Sequence, residues 1–288
     1  MKKLAQRLLV FLIGIPLIVI LVLFLPYYHN LALNVVIIIF TAIGAVEFST
    51  MLEKKHLKIS RIEAAILGAL APAVETLSLV FNCSRLSVPF FLMAGLFWVL
   101  LSRIFSRLDA IENFAGRLAA GSSVLIYPGV FLFWLVRMSE WKNSGIIILI
   151  FLLVTIGSDS AAWLAGILFG KRNRGIVPVS PNKSIAGFIG GIFGSILISC
   201  GAYFIVPSVF IMRGEILPGT AAAVFLGLCT GIAGALGDLC ESAIKRSCGF
   251  KDSGNIMLGR GGVLDSIDSI AVAAPVFYLL YSLLFINF

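Results

Sequence analysis

The sequence predicts an all-α, polytopic integral membrane protein. Hydrophobic residues make up 60% of the 288 and charged residues only 12%, about half the charge of an ordinary soluble domain. The mean hydropathy is +1.06, more apolar surface than a soluble core can hide. The apolar residues also fall into runs of about twenty, the length a helix needs to cross a bilayer.

About nine transmembrane helices are expected, at 8–25, 31–48, 62–81, 88–105, 119–137, 145–169, 185–206, 216–237 and 269–287. The first follows Lys2, Lys3 and Arg7 as a signal peptide would. Its apolar part, Leu8 to Leu25, is long enough to span and lacks a small-residue cleavage site, so it is kept as a helix. The next four spans offer little chemistry. Glu47, Glu63 and Glu75 are expected near helix ends or paired within the bundle, and His29 and His56 as isolated loop residues.

The sixth span carries Asp159, ten residues before the helix end at Phe169, a depth of about 15 Å. A carboxylate there needs a wet cavity or a cation, or it clamps two helices together. Its neighbours Gly157, Ser158, Ser160, Ala161 and Ala162 are small enough for close helix approach. Lys171, Arg172 and Arg174 follow as anchors on the positive side.

Ser180-Pro181 marks a turn, and Lys183-Ser184 precedes a helix opening with Gly187, Gly190 and Gly191. Free N–H groups at a helix start beside a lysine form a phosphate seat, and the same glycines also serve helix packing. The GxxxxGK[ST] spacing of a Walker A loop is absent.

The most polar stretch runs from Gly237 to Ser269. Asp238, Glu241, Asp252, Asp265 and Asp268 meet Lys245, Arg246, Lys251 and Arg260, with Gly259, Gly261 and Gly262 among them. Carboxylates suit a hard divalent cation, and cations and glycine-rich turns suit phosphate. If the eighth helix runs on past Gly237, Asp238, Glu241, Ser242 and Lys245 share one face, with Arg246 next. Asp265 and Asp268 share a face at the start of the ninth helix, where carboxylates also serve as caps. The combination points to phosphoryl chemistry at a membrane face; the plain alternative is a solvated loop.

Orientation follows from the basic residues. With the N-terminus cytoplasmic, eighteen Lys and Arg fall on the cytoplasmic side, and only Arg85, Arg137, Lys142 and Arg213 on the other. The polar stretch is then the last cytoplasmic loop and the C-terminus lies outside. The net charge of +8 is dispersed and lacks interleaved aromatics, so no nucleic-acid partner is expected. Cys83, Cys200, Cys229, Cys240 and Cys248 show no CxxC or zinc spacing and are expected as free, mostly buried thiols. After about residue 155 glycine is dense and acidic residues appear inside or beside apolar helices. That suggests scaffold helices over 1–144 and a catalytic half over 145–288, with the signature loop at 238–268.

Several motifs over roughly 155–270 resemble one family. They are Asp159-Ser-Ala-Ala-Trp163, Gly170-Lys171, Ser180-Pro181-x-Lys183-Ser184, Ser242-Ala-Ile-Lys245-Arg246, Lys251-Asp252-Ser-Gly254 and Gly259-x-Gly261-Gly262-x-Leu264-Asp265-x-x-Asp268. Their order and spacing are similar to those of phosphatidate cytidylyltransferases (CDP-diacylglycerol synthases). The resemblance implies transfer of the CMP moiety of CTP to phosphatidic acid in a cell's inner membrane, with lipid as partner and room for a homodimer. It implies Mg²⁺ on Asp238, Asp265 and Asp268, with room for a second cation, and Lys245, Arg246 and Asp252 as further catalytic residues. Asp159, Ser180, Lys183, Ser184, Ser242, Arg260, Gly261 and Gly262 would meet substrate or phosphate.

The chain departs from the family pattern at four places. Arg260 stands for a His, Ser266 for an Arg, Asn182 for the first of two Lys, and Ala186 for an acid. Arg260 is expected to replace the guanidinium missing at Ser266. Two other readings stay open: a secondary transporter or channel with an intramembrane acidic site, and a relative acting on another lipid phosphate.

Overall fold

The structure is a computed structural model that describes residues 2–102, 104, 113–175, 177–214, 217–257, 259 and 261–285, with side chains from Leu12 onward. Lys2, Lys3 and Arg7 by side chain, and Arg103, Arg107 and Arg260 altogether, lie outside the described residues. The helices are α1 (Lys2–Leu23), α2 (Tyr27–Glu53), α3 (Arg61–Val80), α4 (Ser87–Leu101), α5 (Phe114–Glu140), α6 (Ser144–Phe169), α7 (Ile185–Ile205), α8 (Gly219–Ser247) and α9 (Leu264–Leu284). Among the described residues no β-strand forms.

Seven of these, α2, α3 and α5 to α9, are long and apolar enough to cross a membrane, and Leu12–Leu23 and Ser87–Leu101 are shorter apolar helices. The protein is therefore an all-α polytopic membrane protein, as its composition predicts. Each expected span coincides with helix, but the ends shift. Right-handed α2 begins after Tyr28, His29 and Asn30, which hold left-handed φ of 49°, 57° and 55°. Such a turn costs about 1–2 kcal/mol per residue, and Asn34 Nδ2 donates to the His29 carbonyl at 2.9 Å across it. α5 widens to a π-helical stretch at Leu125–Val130, where Pro128 has no N–H to donate. α8 has 29 residues, about 44 Å, against roughly 30 Å of hydrocarbon. It thus carries its polar C-terminal turns beyond the apolar span.

The chain divides into two compact units. One is Met1–Arg137 with Lys245–Ile267, and the other is Met138–Ile244 with Asp268–Phe288. The stretch Lys245–Ile267 is counted with the first unit.

In the first unit, small residues let helices approach closely. A Cβ on Gly68 would lie 2.4 Å from the Ala45 Cβ, and one on Gly129 would lie 2.8 Å from the Gly68 carbonyl. The acidic residues of α3 are paired, as expected. Glu63 takes Arg117 and, at 2.9 Å, the Trp98 indole N–H. Glu75, 1% exposed by side chain, takes Arg137 Nη1 at 2.5 Å. Arg137 thus serves a bundle pair.

Removing one member of a buried pair costs about 3–5 kcal/mol, more than removing both. Arg137→Met is therefore expected to lower the thermal midpoint in detergent clearly, and adding Glu75→Gln should restore part of it. A double variant whose loss is the sum of the two single losses would show that the pair is not energetically coupled.

In the second unit, α6 and α7 pack along glycine and alanine. A Cβ on Gly190 would lie 2.3 Å from the Ala165 Cβ, and one on Gly194 would lie 2.5 Å from the Ala161 Cβ. Ser158 Oγ donates to the Gly191 carbonyl at 3.0 Å. Trp141, Phe210, Phe277, Tyr278, Tyr281 and Phe285 form an aromatic cluster through ring contacts of 4.7–6.0 Å. All five cysteines are free, as expected, but Cys83 and Cys240 are exposed and only Cys248 is buried.

Candidate active site

Two groups of expected site residues form, one in each unit. In the second unit, α8 and α9 come together at Gly237, where a Cβ would lie 2.5 Å from the Asp268 carbonyl. Only glycine allows that approach, and it sets the helix end bearing Asp238 beside the helix start bearing Asp268. Asp238 Oδ2 pairs with Lys183 Nζ at 2.5 Å, with both side chains about a quarter to a third exposed. Asp238 Oδ1 meets the Ser242 hydroxyl one helical turn on, at 3.4 Å. Asp268 is 8% exposed, and its Oδ1 accepts the Ser269 N–H at 2.6 Å. Glu241 on α8 is fully buried.

Lys183 reaches Asp238 from the segment before α7. That segment is held by the Ile185 N–H donating to the Asn173 carbonyl at 3.1 Å and by a turn from Lys183 N–H to the Ser180 carbonyl, also 3.1 Å. The Lys183 ammonium also lies 5.5 Å from the centre of the Phe188 ring, where the ring quadrupole favours a cation. Ser184 is the N-cap of α7, its Oγ accepting the Gly187 N–H at 3.0 Å. One of the N–H groups expected to seat phosphate is thereby already satisfied. Gly187, Gly190 and Gly191 face α6 at close range, so this glycine run serves packing. Asp159 on α6 is exposed.

In the first unit, Asp265 is the centre of the signature loop. Its Oδ1 pairs with Lys245. Its Oδ2 accepts the N–H of Ser253 and of Gly262, both at 2.8 Å, and lies 2.9 Å from the Ser253 hydroxyl. Both oxygens are thus engaged with the loop and Lys245. Gly261 has φ of +104°, and a Cβ there would lie 2.4 Å from Asp265 Oδ2. Gly261 is therefore required by backbone conformation and space together. Lys251 and Asp252 are exposed. Arg246 is also exposed, its Nη1 3.4 Å from the Phe250 carbonyl.

One residue of this group carries no motif in the sequence. Glu47 of α2 is 6% exposed. It accepts the N–H of Val263 at 3.0 Å and of Leu264 at 2.9 Å, and the Ser253 hydroxyl at 3.1 Å. The available signal was a lone carboxylate in an apolar helix, which describes Glu63 and Glu75 equally well.

A divalent cation needs oxygen ligands, which this donor set can offer. Among the described residues, no group of three or more His, Cys, Asp or Glu gathers as ligands. Mg²⁺ does not need one: it keeps several waters and binds through one or two carboxylates plus substrate phosphates. Asp238 and Asp268, on the helix end and helix start that the Gly237 crossing sets side by side, fit that requirement in number. Asp265 fits it less well, because Lys245 and the N–H groups of Ser253 and Gly262 already use its oxygens.

Residues 5–284 match the family described as the cytidylyltransferase family. The chain is similar to the phosphatidate cytidylyltransferase of Helicobacter pylori, 38% identical over 151 residues that cover 52% of each chain. It is also similar to the proteins of the same name from Staphylococcus aureus (strain COL), 39% identical over 54% of this chain and 55% of that one, and Bacillus subtilis (strain 168), 33% identical over 55% and 56%. The chain spans about half the length of the curated relatives it matches.

Proposed function

The chain belongs to the cytidylyltransferase family, and from that premise we propose that it transfers the CMP moiety of CTP to phosphatidic acid, giving CDP-diacylglycerol and pyrophosphate. The observation that carries the reading is that two lysines of the signature, Lys183 and Lys245, each lie against a signature aspartate, Asp238 and Asp265. Paired cations and carboxylates of this kind match a reaction between two anions assisted by a metal.

The lipid phosphate attacks the α-phosphorus of CTP, a P–O bond forms there, and the bond to the β-phosphate oxygen breaks as pyrophosphate leaves. Bringing two anions together requires positioning and charge neutralisation above all. Asp238 and Asp268 would hold Mg²⁺, with Asp265 as the third carboxylate of the set and room for a second cation. When bound, the metal draws charge from the nucleotide oxygens and orients the leaving group. Lys183 and Lys245 supply point charges to phosphate, and exposed Arg246 a two-pronged guanidinium. Ser180, Ser184 and Ser242 offer hydroxyl groups, and Asp252 orients Lys251. Asp159 lines the polar route from the lipid phase, and Arg260 adds the guanidinium that Ser266 lacks.

The setting is the inner membrane, with the signature loop on the cytoplasmic side, where nucleotide is available. The reading leaves room for a homodimer, which light scattering of the purified protein decides. The topology rests on the eighteen-to-four asymmetry of Lys and Arg. Reporter fusions after Arg246 and after Phe288 should therefore report opposite sides; the same side for both would overturn this orientation.

Substrate choice is tested by assaying purified protein in detergent with labelled CTP against phosphatidic acid, other lipid phosphates and no lipid. Label should enter lipid with phosphatidic acid above all. Preference for another lipid phosphate would move the reading to that substrate. Absence of transfer to any lipid, with solute flux in vesicles, would replace the enzyme by a transporter.

A further inference from the structure

Glu47 makes its three contacts with a loop more than two hundred residues away in sequence. It lies six residues before the end of α2 at Glu53, about 9 Å along the helix, and both of its oxygens are in use. Oε1 takes the N–H of Val263, and Oε2 takes the N–H of Leu264 and the hydroxyl of Ser253. Leu264 is the first residue of α9, where the N–H groups have no partner within the helix. A cap from an adjacent residue is the usual solution; here the cap comes from another helix.

Asp265 completes the arrangement by taking the N–H of Ser253 and Gly262. Two protein carboxylates thus fill four backbone donors of the glycine-rich loop, donors otherwise suited to a phosphate. The glycines make room for them. A Cβ on Gly254 would lie 2.3 Å from Glu47 Oε1, and one on Gly262 would lie 2.4 Å from Glu47 Oε2 and 2.1 Å from Ser253 Oγ. Two of the loop's glycines are therefore explained by the space Glu47 occupies. Gly261 is explained in the same way by Asp265.

We propose that Glu47 is a positioning residue of the nucleotidyl-transfer site. It anchors the loop 253–265 and fixes where α9 begins, and so holds Asp265, and through it Lys245, in place for the reaction. Glu47 itself touches no substrate. The glycine-rich loop acts as a buttress whose amides are filled by the protein's own carboxylates, rather than as a cradle for substrate phosphate. This inference rests on the proposed cytidylyltransferase activity for its kinetic part and is independent of it for its structural part.

Glu47→Gln keeps the size of the side chain but turns one acceptor into a donor facing backbone N–H groups, leaving buried donors unsatisfied. With the full-length protein in detergent, kcat should fall roughly tenfold or more while KM for CTP stays within about threefold. Hydrogen exchange should rise in 253–265 and stay unchanged in α3, α6 and α7. Gly254→Ala reads the same contact from the loop side. It should lower kcat in the native background and cost nothing further beside Glu47→Ala, as expected for residues that share one contact.

Retained kcat in Glu47→Gln, additive effects of the two substitutions, or exchange that rises throughout the bundle would each overturn the proposal, the last by showing a merely structural role. If native protein shows no CTP turnover, the activity reading fails by itself. The exchange measurement then still decides the anchor: a rise confined to the loop sustains it, and unchanged exchange removes it.

Discussion

Replacing Asp238 by asparagine is expected to abolish turnover, with kcat/KM falling by about three orders of magnitude, roughly 4 kcal/mol of transition-state stabilisation. The side chain keeps its size, so the Gly237 crossing that sets α8 against Asp268 is undisturbed. What is lost is a carboxylate, and an amide is a much poorer Mg²⁺ ligand. The pair with Lys183 is also lost, but Asp238 is 33% exposed by side chain. A partly exposed pair contributes only about 0–1 kcal/mol to stability, so the thermal midpoint should hardly move. Asp268→Asn should lose turnover alike. Activity measured across a Mg²⁺ titration checks both, and near-normal turnover at ordinary Mg²⁺ would remove these residues from the metal site.

Lys245→Met should lower kcat/KM by about two to three orders of magnitude through loss of a phosphate-directed cation. Lys245 and Asp265 have side-chain exposures of only 12% and 8%, and breaking such a pair usually destabilises strongly. Here Asp265 keeps two other donors, the N–H groups of Ser253 and Gly262, so its charge stays hydrogen-bonded within the loop. The account therefore expects a folded protein with a large kinetic defect, and Lys245→Arg should recover part of the rate. Pyrophosphate release per folded molecule checks it. Full activity in Lys245→Met would mean that the Lys245–Asp265 pair is structural.

Hydropathy made most of the helices legible, because a bilayer imposes one length on every apolar run. It could not place the ends. α8 runs on to Ser247 and α9 starts at Leu264, since polar helix turns outside the lipid leave no trace in apolar content. Charge order made the signature aspartates and lysines legible, and two lysine–aspartate pairs form among them. The role of the glycines was less legible. A glycine read in one dimension signals an anion, a turn or a close approach, and only the fold shows that Gly254 and Gly262 face Glu47. Glu47 itself escaped because its partners lie more than two hundred residues away. Nothing in its neighbours distinguishes it from Glu63 or Glu75, whose partners are arginines of α5.

The central claim is that the α-phosphate of CTP passes to the phosphate of phosphatidic acid. The most direct test is a single-turnover reaction of purified protein with phosphatidic acid in mixed micelles, run in parallel with CTP labelled at the α- or the γ-phosphorus. The account predicts that the α-label becomes extractable into organic solvent with the lipid, while the γ-label appears in water as pyrophosphate in equal amount. Label from the γ-position in the lipid, or none from the α-position, would contradict it.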